Sequence, residues 1–292
     1  MCDQHSADDM VDYLQGSPSL SRRRFGSLAA GSLLAWSAAR AAGAPAVVEA
    51  EVDIKTADGV CDAYFVHPAK GKYPAVIMWP DIGGLRPAFR AMGKRLAEAG
   101  YAVLVPNPFY RRGRVATDAK MPNLGDPAAR EAAFANMRSL TPTTNLTDAQ
   151  AFVPWLDAQP AVNKRRKMGT MGYCMGGPFT LRTAAAFPDR IGAGASFHGA
   201  GLASKNPDSP HLLVPKIKAS FLIAIAENDD QQDPNAKLLL REAFDAAKLP
   251  AEIEVYKGSK HGWCPPDSSV YDEALAEKAW ARCLVLFKKA LG

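Results

Sequence analysis

Three residues whose types suit nucleophilic catalysis occur along the chain in the order cysteine, aspartate, histidine. Cys174 lies between a predicted strand and a predicted helix, and Asp229 and His261 each follow a predicted strand. A thiol needs a base to take its proton, and the base needs an acid that orients it. We therefore predict that Cys174 is the nucleophile, His261 the base and Asp229 the acid. Asp230 and Asp233 are the alternative acids, and Asp229 is preferred because it comes first after its strand.

The residues around Cys174 form a glycine-rich turn of the kind that an exposed nucleophile requires. The run Gly172-Tyr173-Cys174-Met175-Gly176-Gly177 fits the nucleophile-elbow pattern, with cysteine where serine is commoner. Side chains at Gly172 and Gly176 would crowd so sharp a turn. The N-terminus of the following helix would lower the pKa of the thiol and offer N–H groups to an oxyanion. The run lacks the spacing of dinucleotide- and phosphate-binding loops, and a buried structural cysteine is the alternative interpretation.

Strand and helix signals alternate from about residue 47, which predicts a mostly parallel sheet with helices on both faces. An antiparallel edge strand over 48–54 should precede the buried strands over 75–79 and 101–105. Further strands are expected over 167–171, 193–197, 221–226 and 252–256, and helices from Gly176 and over 128–137, 238–247 and 271–290. Pro154 predicts a kink or an early end in another helix that begins near Leu146. The carboxyl ends of parallel strands share one edge, where the three residues would meet.

Length, charge and cysteine spacing exclude several classes of function. A chain of 292 residues with 48% hydrophobic residues can bury one large core, so we expect one domain over residues 45–292. The formal net charge of +5 lies largely in short basic runs without interleaved aromatic residues, so nucleic acid is not an expected partner. None of the five cysteines forms a C-x-x-C pair, so we expect neither a metal nor another cofactor.

Residues 1–44 have the features of an export signal. The segment Ser21-Arg22-Arg23-Arg24-Phe25 precedes a mildly apolar run that ends in small residues near Ala44. That run is too short and too rich in glycine and serine to span a bilayer. It resembles a twin-arginine signal, although Gly26 and the acidic leader depart from the usual pattern. The resemblance implies a periplasmic mature protein without a membrane span, and a basic tail on a cytoplasmic protein is the alternative.

These motifs together resemble those of the dienelactone hydrolase family. The matching stretches cover nearly the whole of the predicted mature region and lie at 79–85, 100–106, 172–177, 227–229 and 256–262. The resemblance implies an α/β-hydrolase fold, a triad of Cys174, Asp229 and His261, and oxyanion donors at the backbone N–H groups of Ile82 and Met175. It also implies a cofactor-free hydrolase that forms an acyl-cysteine intermediate on a small ester or lactone. A non-catalytic binding protein for small molecules, built on the same fold, is the alternative.

Two positions depart from the family pattern. Asp81 stands where the archetype has a glutamate that is associated with managing the proton of the thiol, so a contact of Asp81 with Cys174 is left open. Pro265 replaces one of the two arginines that hold a substrate carboxylate. Arg130 could correspond to the second arginine, with Phe134 where a tyrosine would stand. The substrate is therefore less well predicted than the chemistry.

Two further residues are candidates to line the substrate pocket. His198 follows a predicted strand at the edge where ligands bind in such sheets, and a structural histidine is the alternative. Trp263 adjoins the loop that carries His261. The sequence leaves open the physiological substrate, the oligomeric state and whether Cys174 can form a disulfide with Cys264.

Overall fold

A single eight-stranded sheet forms the centre of the protein in a computed structural model that describes residues 45–292. The predicted export segment, residues 1–44, lies outside the described residues. The strands are β1 (Val47–Thr56), β2 (Gly59–Pro68), β3 (Ala75–Trp79), β4 (Ala102–Pro106), β5 (Met168–Tyr173), β6 (Ile191–Phe197), β7 (Ser220–Ala226) and β8 (Ala251–Tyr256). Their order across the sheet is β1-β2-β4-β3-β5-β6-β7-β8, and only the pairs β1–β2 and β2–β4 are antiparallel.

Helices cover both faces of this sheet. They are α1 (Pro87–Glu98), α2 (Pro127–Arg138), α3 (Pro142–Ala158), α4 (Gly176–Ala186), α5 (Glu227–Gln232), α6 (Ala236–Ala246) and α7 (Glu273–Leu291), with short 3-10 helices at Tyr110–Arg112 and Pro210–Lys216. Alternate residues of β3 point to opposite faces, so that Ile77 and Trp79 pack with α3, α4 and α6, whereas Val76 and Met78 pack with α1 and α7. The sheet is therefore the middle layer of three.

Burial of the strands follows from this layering. Every residue of β3, β4 and β5 is buried, as is expected for central strands that helices cover on both faces. The edge strand β1 is largely exposed, with only its last residues buried. Within residues 45–292, no helix is long and apolar enough to cross a membrane.

Two elements differ from the sequence-based expectations. Helix α3 continues through Pro154 to Ala158, so the early end, one of the two expected outcomes, does not occur. Pro154 lies on the exposed side of the helix, where the carbonyl group that loses its hydrogen bond can turn toward water. The residues that follow β7 form the short helix α5, for which the sequence offered no periodic pattern.

The register of the parallel strands places their carboxyl ends side by side. Trp79 pairs with Gly172, Tyr173 with Phe197, and Ala226 with Tyr256. The loops that follow β3, β5, β6, β7 and β8 therefore leave the sheet at one edge. This edge is where ligands bind in open parallel sheets.

Candidate active site

Cys174 occupies a strained turn between β5 and α4. Its φ angle is 51°, in the left-handed region that residues other than glycine seldom adopt. A Cβ atom at Gly172 would lie 2.0 Å from the carbonyl oxygen of Gly176, and one at Gly176 would lie 2.5 Å from that of Trp79. Glycine at both positions is thus required by close backbone approach, and the turn presents Cys174 at the carboxyl edge of the sheet.

Asp229 and His261 meet at the same edge. Oδ2 of Asp229 lies 2.8 Å from Nδ1 of His261, and the His261 backbone N–H donates to Oδ1 of Asn228 at 2.8 Å. Asn228 and Asp229 both belong to helix α5. This one short helix therefore holds both the ring and the backbone of His261. Asp230, one of the alternative acids, instead forms an ion pair with Lys237 at 2.7 Å.

The electrostatics of His261 favour its protonated form. Burial of the imidazole lowers its pKa, but the negative charges of Asp229 and Cys174 and hydrogen bonds to both side chains raise it. The net result is a pKa well above the ordinary value for histidine. The carboxylate of Asp229 therefore favours the protonated form of His261.

The two predicted oxyanion donors lie beside Cys174. Ile82, in the loop after β3, and Met175, at the start of α4, share one buried apolar cluster with Cys174. Phe134 and Met137 of α2 belong to the same cluster. The start of α4 thus places backbone N–H groups near the sulfur in surroundings that largely exclude water.

Asp81 is bound by an arginine that the sequence analysis did not single out. Its Oδ1 accepts from Nη1 of Arg86 at 2.6 Å and from the Gly83 N–H at 2.8 Å, and its Oδ2 accepts from Nη2 of Arg86 at 3.0 Å. Arg86 is fully buried and also donates to both carboxylate oxygens of Asp267, at 2.7 and 2.9 Å. Burial lowers the pKa of Arg86, but the two carboxylates raise it by more than burial lowers it. The guanidinium therefore stays charged.

Arg86 thereby joins two loops of the site. Asp81 lies in the loop that carries Ile82, and Asp267 lies six residues beyond His261. The only local signal for this role is a charged residue set among apolar neighbours just before the start of α1. Its partner Asp267 is 181 residues away in sequence, which is why the pairing could not be inferred from spacing.

The remaining predicted substrate contacts lie at different distances from the site centre. Phe134 is buried in the cluster with Cys174, whereas Arg130 is partly exposed one helical turn earlier on α2. Trp263 and His198 are buried, with ring centroids 5.2 Å apart, and the ring of His198 lies 5.1 Å from that of His261. The structure thus groups His198 and Trp263 around the histidine, and Phe134 around the sulfur.

A pocket of about 880 Å³ adjoins this site. Asp229 lines one side of it, and Phe134 and Met137 line another. Pro178 and Leu240 contribute apolar surface to the walls. The volume is within the range of pockets that bind small organic molecules.

Across residues 45–292, no group of three or more His, Cys, Asp or Glu side chains is arranged to hold a metal ion. Cys61, Cys174, Cys264 and Cys283 are present as buried free thiols.

Replacing Arg86 by methionine should destabilise the protein strongly. Arg86→Met leaves Asp81 and Asp267 without their cation, and removal of one partner from a buried ion pair typically costs about 3–5 kcal/mol. Chemical denaturation of the purified protein measures the loss. The matched control is Arg282→Met, which removes an exposed pair with Glu252 and should leave the free energy of unfolding nearly unchanged. Equal, small losses in both variants would contradict the role assigned to Arg86.

Comparisons with known proteins agree with this architecture. The model of the dienelactone hydrolase family matches residues 61–291. A carboxymethylenebutenolidase from Rhodococcus opacus is 27% identical over 224 residues, which cover 76% of this chain and 83% of that protein. A putative carboxymethylenebutenolidase from Escherichia coli K12 is 27% identical over 233 residues, covering 78% of this chain and 82% of the relative.

Solved structures show the same fold. A putative dienelactone hydrolase from Klebsiella pneumoniae superposes with a TM-score of 0.71 at 24% identity, over 84% of this chain and 99% of the other. A dienelactone hydrolase-like promiscuous phosphotriesterase from metagenomic libraries superposes with a TM-score of 0.69 at 22% identity, over 85% and 100%. The predicted α/β-hydrolase fold is therefore confirmed. With a family model that matches most of its length, the chain belongs to the dienelactone hydrolase family and is a hydrolase.

Proposed function

We propose that this protein hydrolyses a small carboxylic ester or lactone through an acyl-cysteine intermediate. The observation that carries the proposal is the meeting of Cys174, on its strained turn, with the hydrogen-bonded pair His261 and Asp229. The similarity to carboxymethylenebutenolidases supports an ester or lactone as substrate. The raised pKa of His261 supports a thiolate as the attacking group.

In the first step, the sulfur of Cys174 attacks the carbonyl carbon of the substrate. A carbon–sulfur bond forms while the carbonyl electron pair moves onto oxygen. The N–H groups of Ile82 and Met175 would donate to this oxyanion, and such donors are commonly worth about 10²–10³ in rate. We propose that Cys174 first gives its proton to His261 and attacks as a thiolate beside the imidazolium.

The second step breaks the bond to the leaving oxygen. The oxyanion collapses to a thioester, and the departing alkoxide or enolate takes the proton from His261. In a lactone the leaving oxygen stays tethered to the acyl group. Asp229 supports the imidazolium beforehand and holds the ring so that its other nitrogen faces the reacting atoms.

In the third step, water releases the acyl group. Neutral His261 takes a proton from the water, whose oxygen attacks the thioester carbonyl. The tetrahedral intermediate expels the sulfur of Cys174 as a thiolate, and the thiolate and imidazolium are restored. The products are a carboxylic acid and an alcohol, or a hydroxy acid or its keto form from a lactone.

Esters and lactones suit this machinery better than amides do. An alkoxide or enolate leaves with little acid assistance, whereas an amine must be protonated before it can depart. A histidine whose pKa is raised by Asp229 holds its proton tightly and is a weak acid, which favours the better leaving group. We therefore propose carboxylic esters and lactones, rather than peptides, as the substrate class.

One of the predicted substrate contacts adjoins the sulfur. Phe134 would contact the acyl part from α2, whereas Trp263 is fully buried against His198 and has no surface to offer a substrate. Arg130 is the proposed partner of a substrate carboxylate, although its helix places it farther from the sulfur than Phe134. Asp81 is held by Arg86, so we propose that His261, and not Asp81, manages the proton of the thiol.

Replacing members of the triad should lower kcat for p-nitrophenyl acetate, by a factor that differs from residue to residue. Cys174→Ala should lower kcat by more than about 10³-fold because the nucleophile is lost. Asp229→Asn should lower it by about 10²–10⁴-fold, since loss of the carboxylate lowers the pKa of His261 and alters its tautomer. Steady-state kinetics on the purified protein measure both.

The matched control for this series is Asp230→Asn, one residue from the proposed acid and paired with Lys237. It should retain most of the turnover. Undiminished turnover in Cys174→Ala would refute the nucleophile assignment. Tight binding of a lactone by the wild-type protein, with no hydrolysis of any ester, would favour a binding protein instead.

We also propose that residues 1–44 direct export by the twin-arginine route. The proposal rests on the paired arginines Arg22 and Arg23 and the short apolar run that follows them. A fusion of residues 1–50 to a reporter should reach the periplasm. Delivery should stop when Arg22 and Arg23 are both changed to lysine, and it should continue with Arg24→Lys as the matched control. Delivery that persists in the double variant would overturn the proposal.

A further inference from the structure

His198 occupies an unusual position at the edge of the sheet. It follows β6 directly, is 1% exposed, and has a φ angle of 40°. Its backbone N–H continues the ladder with β7 by donating to the carbonyl of Ala224 at 2.8 Å. Residues other than glycine seldom adopt this left-handed region, and such strained positions cluster at functional sites.

The side chain of His198 contacts the backbone of the nucleophile. The N–H of Cys174 lies 3.1 Å from Nδ1 of His198 and also 3.1 Å from the carbonyl of Phe197. On the other side of the turn, the carbonyl of Cys174 accepts from Gly177 at 2.9 Å and from Ala200 at 3.4 Å. Residues 197–200 therefore hold both backbone polar groups of Cys174.

A hydrogen bond from the Cys174 N–H to Nδ1 requires one tautomer of His198. Nδ1 can accept from an N–H only when it carries no proton, so in this arrangement the proton of the neutral ring lies on Nε2, a buried atom with no hydrogen-bond partner among residues 45–292. Burial lowers the pKa of His198 well below the ordinary value, and the positive charge of His261 lowers it further. His198 is thus a neutral acceptor beside a cationic neighbour.

The ring of His198 also lies against the proposed base. Its centroid is 5.1 Å from that of His261, with the ring planes at 67°, and 5.2 Å from that of Trp263, with the ring planes at 63°. An edge-to-face contact of this kind restricts the tilt of the His261 ring. His198 therefore contacts both the backbone of Cys174 and the imidazole of His261.

We propose that His198 is a positioning residue that aligns nucleophile and base: its Nδ1 holds the Cys174 backbone in the strained turn while its ring packs against His261. The inference rests on the proposed function, because it assumes that Cys174 is the nucleophile. It assigns to His198 a role in alignment, distinct from the contact with substrate that its place at the sheet edge suggested.

Two variants of nearly equal size test the acceptor. In His198→Asn, the amide oxygen can take the place of Nδ1, and asparagine tolerates a positive φ. In His198→Leu, the side chain branches at Cγ as asparagine does, but it has no hydrogen-bond acceptor. His67→Leu, on β2, is the matched control for the histidine-to-leucine change, and thermal melts establish that each variant is folded.

Two readouts separate alignment from folding. For hydrolysis of p-nitrophenyl acetate, His198→Asn should keep kcat within about tenfold, whereas His198→Leu should lose about 100-fold in kcat with little change in KM, as misplacement of reacting groups does. The second readout is the rate at which iodoacetamide alkylates Cys174 as a function of pH. In His198→Leu this rate should fall at neutral pH, and in His198→Asn it should stay near that of the wild type.

Wild-type behaviour of a folded His198→Leu variant in both readouts would overturn the proposal, as would equal losses in the two variants. Alkylation needs no substrate, so failure of the wild-type protein to hydrolyse esters would count against the proposed function alone. If His198→Leu does not fold, ¹⁵N spectra of histidine-labelled wild-type protein decide the question. A neutral His198 with its proton on Nε2 at pH 7 supports the proposal, and a proton on Nδ1 overturns it.

Discussion

The close backbone approach at the start of α4 is the constraint on which the rest of the site depends. A side chain at Gly176 would collide with the carbonyl of Trp79, so α4 can begin here only because glycine lets it pack against the end of β3. The same contact brings the loop carrying Ile82 beside Cys174. A single packing requirement therefore places the proposed nucleophile and the proposed oxyanion donors next to each other.

Buried charged groups also hold the parts of the site together. Two buried groups of the site have their positive charge favoured by carboxylates: His261 by Asp229, and Arg86 by Asp81 and Asp267. The first arrangement orients the imidazole of His261. The second ties the loop after β3 to the loop after β8, so that the two sides of the site keep their spacing. Buried charges of this kind are costly to separate, which gives the site its rigidity.

The structural features that could be predicted from the sequence are those that local sequence patterns encode. Continuous apolar runs indicated the central strands, and the glycines around Cys174 indicated the turn. The order of Cys174, Asp229 and His261 was informative because parallel strands all end at one edge. These features depend on neighbours in sequence or on a general rule of topology, so no knowledge of side-chain packing was needed.

Other parts depend on contacts between distant residues and could not be predicted. Arg86 meets Asp267 across 181 residues, and His198 meets the Cys174 amide across 24. Nothing in the neighbourhood of either residue specifies its partner. Pro154 shows the converse, because a strong local signal for a helix end is overridden where the helix has a solvent-facing side.

The central claim is that the sulfur of Cys174 carries the acyl group during turnover. Rapid mixing of the protein with p-nitrophenyl acetate, acid quenching and mass spectrometry of the digested peptides tests it directly. The account predicts an acetyl group on the peptide that contains Cys174, formed within the burst of p-nitrophenolate and lost during turnover. Turnover with an unmodified Cys174 at every quench time, or an acetyl group carried by another residue, would contradict it.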